Sequence, residues 1–150
     1  MSLLKNSIYI LLLFILLINI TGCKSYDFKT NNINIEDIYN QEEDEYYVYF
    51  YMDDCKYCED CFDTVLEYLN NPLDLKLYVC KVNKNDIIKR FYEGENGQGE
   101  SGGYFVDGVT DYNDLYISGV PSLIKIDITN TSYFVTSGRK KIIAYFSDMK

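Results

Sequence analysis

The chain has 150 residues, no histidine, no tryptophan, five cysteines and a formal net charge of -9. Its length suits one compact domain with a short appendage. Without an imidazole it can form no Ser-His-Asp triad, Cys-His dyad or His-ligated zinc. The excess of 23 acids over 14 bases argues against nucleic-acid binding, which needs a basic patch to displace counterions from phosphates.

Lys5 is the single charged side chain before an apolar run of 13 residues, Ile8 to Ile20. That length matches the hydrophobic region of a secretory signal and falls short of the roughly 20 residues that span a bilayer. The run ends in Ile20-Thr21-Gly22-Cys23. This tetrapeptide resembles the lipobox of bacterial lipoprotein signals, which implies lipidation of Cys23 and removal of residues 1–22. The alternative is an uncleaved N-terminal anchor with Cys23 as an incidental juxtamembrane thiol. Both readings place the rest of the chain on the extracytoplasmic face of the cell membrane, where disulfides persist. Residues 1–22 contain one base and no acid, so the remainder carries 13 bases against 23 acids, a net charge of -10.

Residues 23–32 are polar and read as a lipid-anchored tether, with the domain proper at 33–150. Asn34 is placed to cap a short helix through Tyr39, with Ile35 and Ile38 on one side. Residues 36–45 hold six acids and no base and read as a solvated face. Tyr46 to Met52 is a continuous aromatic and β-branched run, as expected of a central strand covered on both faces. From Cys58 the apolar positions Cys58, Cys61, Phe62, Val65, Leu66 and Leu69 fall at helical spacing, and Asn70-Asn71-Pro72 ends that helix. Leu75 to Val82 is a second strand, so strand, helix and strand form a parallel crossover. A short helix is expected over 86–93. A mobile Gly-rich loop is expected over 94–108, which holds six of the nine glycines. It lacks the phosphate-loop pattern. Ser122 to Ile128 alternates, with Ile124, Ile126 and Ile128 on one face. Ser132 to Thr136 returns as its hairpin partner, and a last helix carries Ile142, Ile143 and Phe146 inward. Arg139-Lys140-Lys141 opens that helix and reads as solvated surface or a lipid-headgroup contact. The order predicts one α/β domain with a mixed sheet.

The chemistry-bearing motif is Cys55-Lys56-Tyr57-Cys58. The C-x-x-C spacing alone also serves metals and structural bridges, so its placement matters. Cys55 lies off the end of a buried strand where a helix begins, and free N–H groups and the positive end of the helix dipole favour its thiolate. Cys58 falls one turn in, on the buried stripe. An outer attacking sulfur and an inner resolving one are what dithiol exchange requires.

A hydrophobic strand running into C-x-x-C on a helix, with a later Gly119-Val120-Pro121 opening a strand-strand-helix end, resembles the thioredoxin-like family over about residues 33–149. The resemblance implies a three-layer α/β/α sandwich with a mixed central sheet, catalytic Cys55 and Cys58, and no dissociable cofactor. It also implies a cis Pro121 whose loop lies against the reactive pair, with Val120 beside the substrate chain. Lys56 and Tyr57, between the cysteines, are further expected substrate contacts. The chain departs from the family pattern at Asp54, where an aromatic residue is usual. It also has no acid within YYVYFYM and a longer stretch before Pro121. Asp53, Asp54, Glu59, Asp60 and Asp63 surround the site against Lys56, which disfavours the thiolate and points towards a reductant.

Cys61 and Cys80 admit three readings: core thiols, a second disulfide with each other, or ligands, with Cys55 and Cys58, of zinc or an iron–sulfur cluster. The leading expectation is a membrane-tethered thiol–disulfide oxidoreductase acting on protein thiols and disulfides and recycled by a redox partner. The alternative is a non-catalytic binding lipoprotein, resembling accessory lipoproteins of secretion or bacteriocin transport, in which the C-x-x-C is a staple.

Overall fold

A computed structural model describes residues 28, 31–83, 106–117 and 119–149. Cys23, the expected helix at 86–93 and the part of the Gly-rich stretch before residue 106 lie outside the described residues.

The frame is built on β2 (Tyr46–Tyr51). Tyr46, Val48 and Phe50 point to one apolar cluster, while Tyr47 and Tyr49 point to the other. Burial on both faces is why this strand reads as an unbroken apolar run with no polar alternation. It pairs in parallel with β3 (Lys76–Lys81), Tyr46 opposite Lys76 and Phe50 opposite Cys80. On its other side it pairs antiparallel with β4 (Ser122–Ile126), Phe50 opposite Ser122. A two-residue β1 (Asn32–Ile33) lies parallel to β3, and β5 (Ser132–Ser137) antiparallel to β4. The sheet order is β1-β3-β2-β4-β5. This is an α/β fold with a mixed five-stranded sheet, compatible with the thioredoxin-like arrangement.

Two helices, α1 (Lys56–Asn70) and α2 (Arg139–Asp148), pack together against one face of the sheet. α1 buries Cys58, Cys61, Phe62, Val65 and Tyr68; of the stripe expected from its periodicity, Leu66 and Leu69 are only partly buried at its edge, and Tyr68 is buried in addition. Among the described residues the opposite face is covered by a 3-10 turn and residues 106–117, through Ile38, Val106, Leu115 and Ile117. Phe28, in the stretch read as tether, seats its ring 5.2 Å from Phe62 and 5.3 Å from Tyr51.

Two local expectations change. The helix expected to run through Tyr39 is a single 3-10 turn over Ile35–Asp37. Asn34 makes no side-chain cap there and instead donates Nδ2 to the Asp37 carboxylate at 3.2 Å. Six residues are also too few to repay helix nucleation. β4 stops at Ile126, and Ile128 is 68% exposed in the turn. Asp127 causes the stop, because its Oδ1 accepts from Thr129 N, Thr129 Oγ1 and Thr131 N at 2.7–3.1 Å. The chain then turns through Asn130 at φ 55°, a conformation that asparagine tolerates.

Ser132 joins three segments. It is fully buried, donates its hydroxyl towards Val106 O and Val109 O, and accepts from Tyr39 Oη at 2.9 Å. Ser132→Ala leaves those groups without this partner, and the expected cost is about 1–3 kcal/mol. A urea melt should show a lower midpoint at unchanged m-value.

Candidate functional site

The strand register brings the site together. Because β2 and β4 are antiparallel with Phe50 opposite Ser122, the end of β2 that leads to Cys55 lies beside the start of β4, just after Pro121. Val120 packs against both apolar clusters, including the one that holds Cys55, Cys58 and Cys61. The Val120–Pro121 peptide bond is cis, the geometry the family resemblance implies. Pro121 O accepts from Gly138 N at 2.9 Å, which ties this loop to the start of α2. Gly138 sits at φ 84°, where a side chain is strained and glycine is not.

Cys55 is the N-cap of α1 and forms a disulfide with Cys58, Cα–Cα 5.2 Å. Cys55 Sγ accepts from Cys58 N at 3.2 Å, and Cys55 O accepts from Cys58 N and Glu59 N at 2.9 and 3.0 Å. The sulfur therefore takes the place of the side-chain oxygen that usually caps a helix. A thiolate there would keep that N–H and the positive end of the dipole. The two sulfurs are unequal: Cys55 is 8% exposed, whereas Cys58 is fully enclosed.

Lys56 and Tyr57 stand outside this pair. Tyr57 is 61% exposed, and the Arg139 guanidinium lies 5.6 Å from its ring centroid, within cation–π range. Asp60 accepts from Arg139 Nη1 at 2.6 Å and pairs with Lys56 Nζ at 3.2 Å. These two cations hold its carboxyl below the ordinary carboxylate range, the Arg139 hydrogen bond first. Asp53 pairs with Lys81 Nζ at 2.5 Å. The acidic surround expected from local sequence is thus partly balanced by Arg139 and Lys81. Both are distant along the chain, so no local spacing could have pointed to them. Arg139 in particular is held at the site and is not simply solvated surface.

Cys61 and Cys80 take part in no disulfide. α1 carries Cys61 into one apolar cluster, and β3 carries Cys80 into the cluster on the other face. The sheet separates them, so the expected alternative of a Cys61–Cys80 bond has no geometry. The four-thiolate metal reading also needs all four sulfurs to converge, which this arrangement does not do. Among the described residues no cluster of three or more His, Cys, Asp or Glu could hold a metal ion.

Asp54, immediately before the cysteine pair, has φ 54°. A left-handed residue costs about 1–2 kcal/mol for most side chains and less for aspartate or glycine. Asp54→Gly should therefore keep the stability of the parent. Asp54→Val should lose about 1–2 kcal/mol, read from paired denaturant melts.

No protein-family model, curated protein or solved structure matches the chain.

Proposed function

We propose that the protein is a membrane-tethered, extracytoplasmic thiol–disulfide oxidoreductase that acts on protein substrates by dithiol–disulfide exchange. The observation that carries this reading is the Cys55–Cys58 disulfide at the N-cap of α1, with an accessible edge at Cys55 alone. In the reducing direction, Cys55 thiolate attacks a substrate disulfide and forms a mixed disulfide, releasing one substrate thiolate. Cys58 then attacks Cys55 Sγ, releases the second substrate thiolate and restores the Cys55–Cys58 bond. Val120 and Pro121, beside the pair, supply the backbone rim against which an extended substrate segment lies, and Tyr57 supplies an exposed apolar contact. A separate redox partner returns the disulfide to the dithiol. The tether rests on Ile20-Thr21-Gly22-Cys23; among the described residues no helix is long and apolar enough to cross a membrane.

Direction follows from charge. Asp54 adjoins Cys55, so negative charge stays next to the sulfur even though Asp53, Glu59 and Asp60 each have a cationic partner. A thiolate opposed in this way favours the disulfide, which is the property of a reductant.

A second reading, a non-catalytic accessory lipoprotein in which the disulfide is a staple, draws on the low exposure of Cys55, 8%. An insulin-reduction assay separates the two. Exchange catalysis requires turnover by the parent, with none from Cys55→Ser/Cys58→Ser, which nevertheless folds. A staple requires no turnover and a large loss of stability in that double variant.

Cys58→Ser should accumulate mixed disulfides on Cys55, visible as reductant-sensitive bands on non-reducing gels; none after mild lysis and thiol trapping would count against catalysis. Equilibration of the 24–150 fragment with glutathione should place the couple nearer thioredoxin's, about -270 mV, than the strongest oxidases, about -120 mV. A value above about -150 mV would overturn the reductant assignment.

A further inference from the structure

The Tyr49 hydroxyl is the one buried side-chain nitrogen or oxygen among the described residues that has no hydrogen-bond partner. Tyr49 is fully enclosed. Leaving such a group without a partner costs about 1–3 kcal/mol, and phenylalanine would avoid that cost at the same shape. The hydroxyl lies beside the Cys61 thiol. Cys61 is also fully buried, and its thiol makes a long contact with Arg139 O at 3.8 Å. Cys61 sits three residues after Cys58 on α1, in the same apolar cluster. Residues so spaced are neighbours on a helix surface, with Cβ atoms about 5–6 Å apart. A phenol and a thiol thus share the apolar cluster of the inner sulfur, the thiol one helical turn from Cys58, and the phenol has no hydrogen-bond partner while the disulfide is closed.

We propose that Tyr49 and Cys61 form a buried donor relay that holds Cys58 Sγ once the Cys55–Cys58 bond is opened. This deepens the dithiol-exchange reading and rests on it for its functional meaning. In the disulfide state Cys61 Sγ–H leans on Arg139 O, and Tyr49 Oη–H has no acceptor of good geometry. Reduction by two glutathione molecules breaks the protein S–S bond and forms one S–S bond in glutathione disulfide. Two electrons pass to Cys55 and Cys58. The two glutathione thiol protons go to the protein sulfurs, or to solvent where a sulfur remains thiolate. Cys58 Sγ, enclosed and newly electron-rich, then accepts from Cys61 Sγ–H, and Cys61 Sγ accepts from Tyr49 Oη–H. No proton leaves the relay. Burial pushes the Cys61 thiol up to about 11 and Tyr49 well above its ordinary value, so both remain donors at neutral pH. Tyr49 and Cys61 are positioning residues in this scheme, since neither touches substrate.

The test compares the full chain, purified in detergent, with Tyr49→Phe, Cys61→Ala and the double variant. Each is equilibrated with glutathione buffers and melted in both the disulfide and the phosphine-reduced form. The relay predicts that either single change favours the disulfide by about tenfold, which is about 30 mV for a two-electron couple. It predicts that the double variant shifts no further than the larger single one, because the two groups act in series. Tyr49→Phe should leave the disulfide form at least as stable as the parent and lower the melting point of the reduced form. Equal effects of Tyr49→Phe on the two redox forms would overturn the relay, as would glutathione equilibria identical to the parent's. The melts need no exchange partner. A parent that never equilibrates with glutathione, yet shows the redox-dependent melting difference, would retain the relay and overturn the oxidoreductase reading instead.

Discussion

Enclosure of β2 on both faces is the constraint on which the rest of the structure depends. Alternate residues of Tyr46–Tyr51 serve two separate apolar clusters, so a one-residue slip would exchange the contents of both. Register with β3 and β4 is therefore strongly specified, and that register puts the Cys55 loop and the Val120–Pro121 loop at the same end of the sheet. The position of the Cys55–Cys58 pair is thus set by strand packing before any contact between the two loops is considered.

Around that position the chain arranges charge at two scales. The helix terminus and the Cys58 N–H act directly on Cys55 Sγ, at the range where a dipole is least screened. The pairs Asp60–Arg139, Asp60–Lys56 and Asp53–Lys81 are exposed or half-exposed and contribute little to stability. Their effect is on local field and geometry: Asp60 joins the first turn of α1 to the first turn of α2. It also offsets the cost of placing Arg139 at the positive end of the α2 dipole.

Much of the fold is legible in the sequence because its signals are local. The apolar run 46–51, the helical stripe from Cys58 and the Asn70-Asn71 stop each depend on residues within a turn or two. The cysteine pair is legible for the same reason, since strand end, N-cap and first helical turn adjoin in the chain. Side-chain competition with the backbone is less legible: Asn34 and Asp127 both looked compatible with longer elements, and their hydrogen bonds shorten them. The Arg139–Asp60 and Lys81–Asp53 contacts and the Tyr49–Cys61 neighbourhood are not legible at all, because each joins elements that meet only after the sheet has its register. Cys61 and Cys80 show this most clearly. Both look like core thiols, and only the pairing of Cys80 with Phe50 reveals that they occupy different cores.

That separation has a consequence for how the thiols of one chain experience their surroundings. A reagent that reaches Cys58 or Cys61 need only loosen the first turns of α1, whereas Cys80 lies within a strand paired on both sides. Local opening and global opening differ in free energy, so the chain carries two clocks in one type of side chain. Covalent labelling of Cys61 counts excursions of the helix, and labelling of Cys80 counts dissolution of the sheet itself.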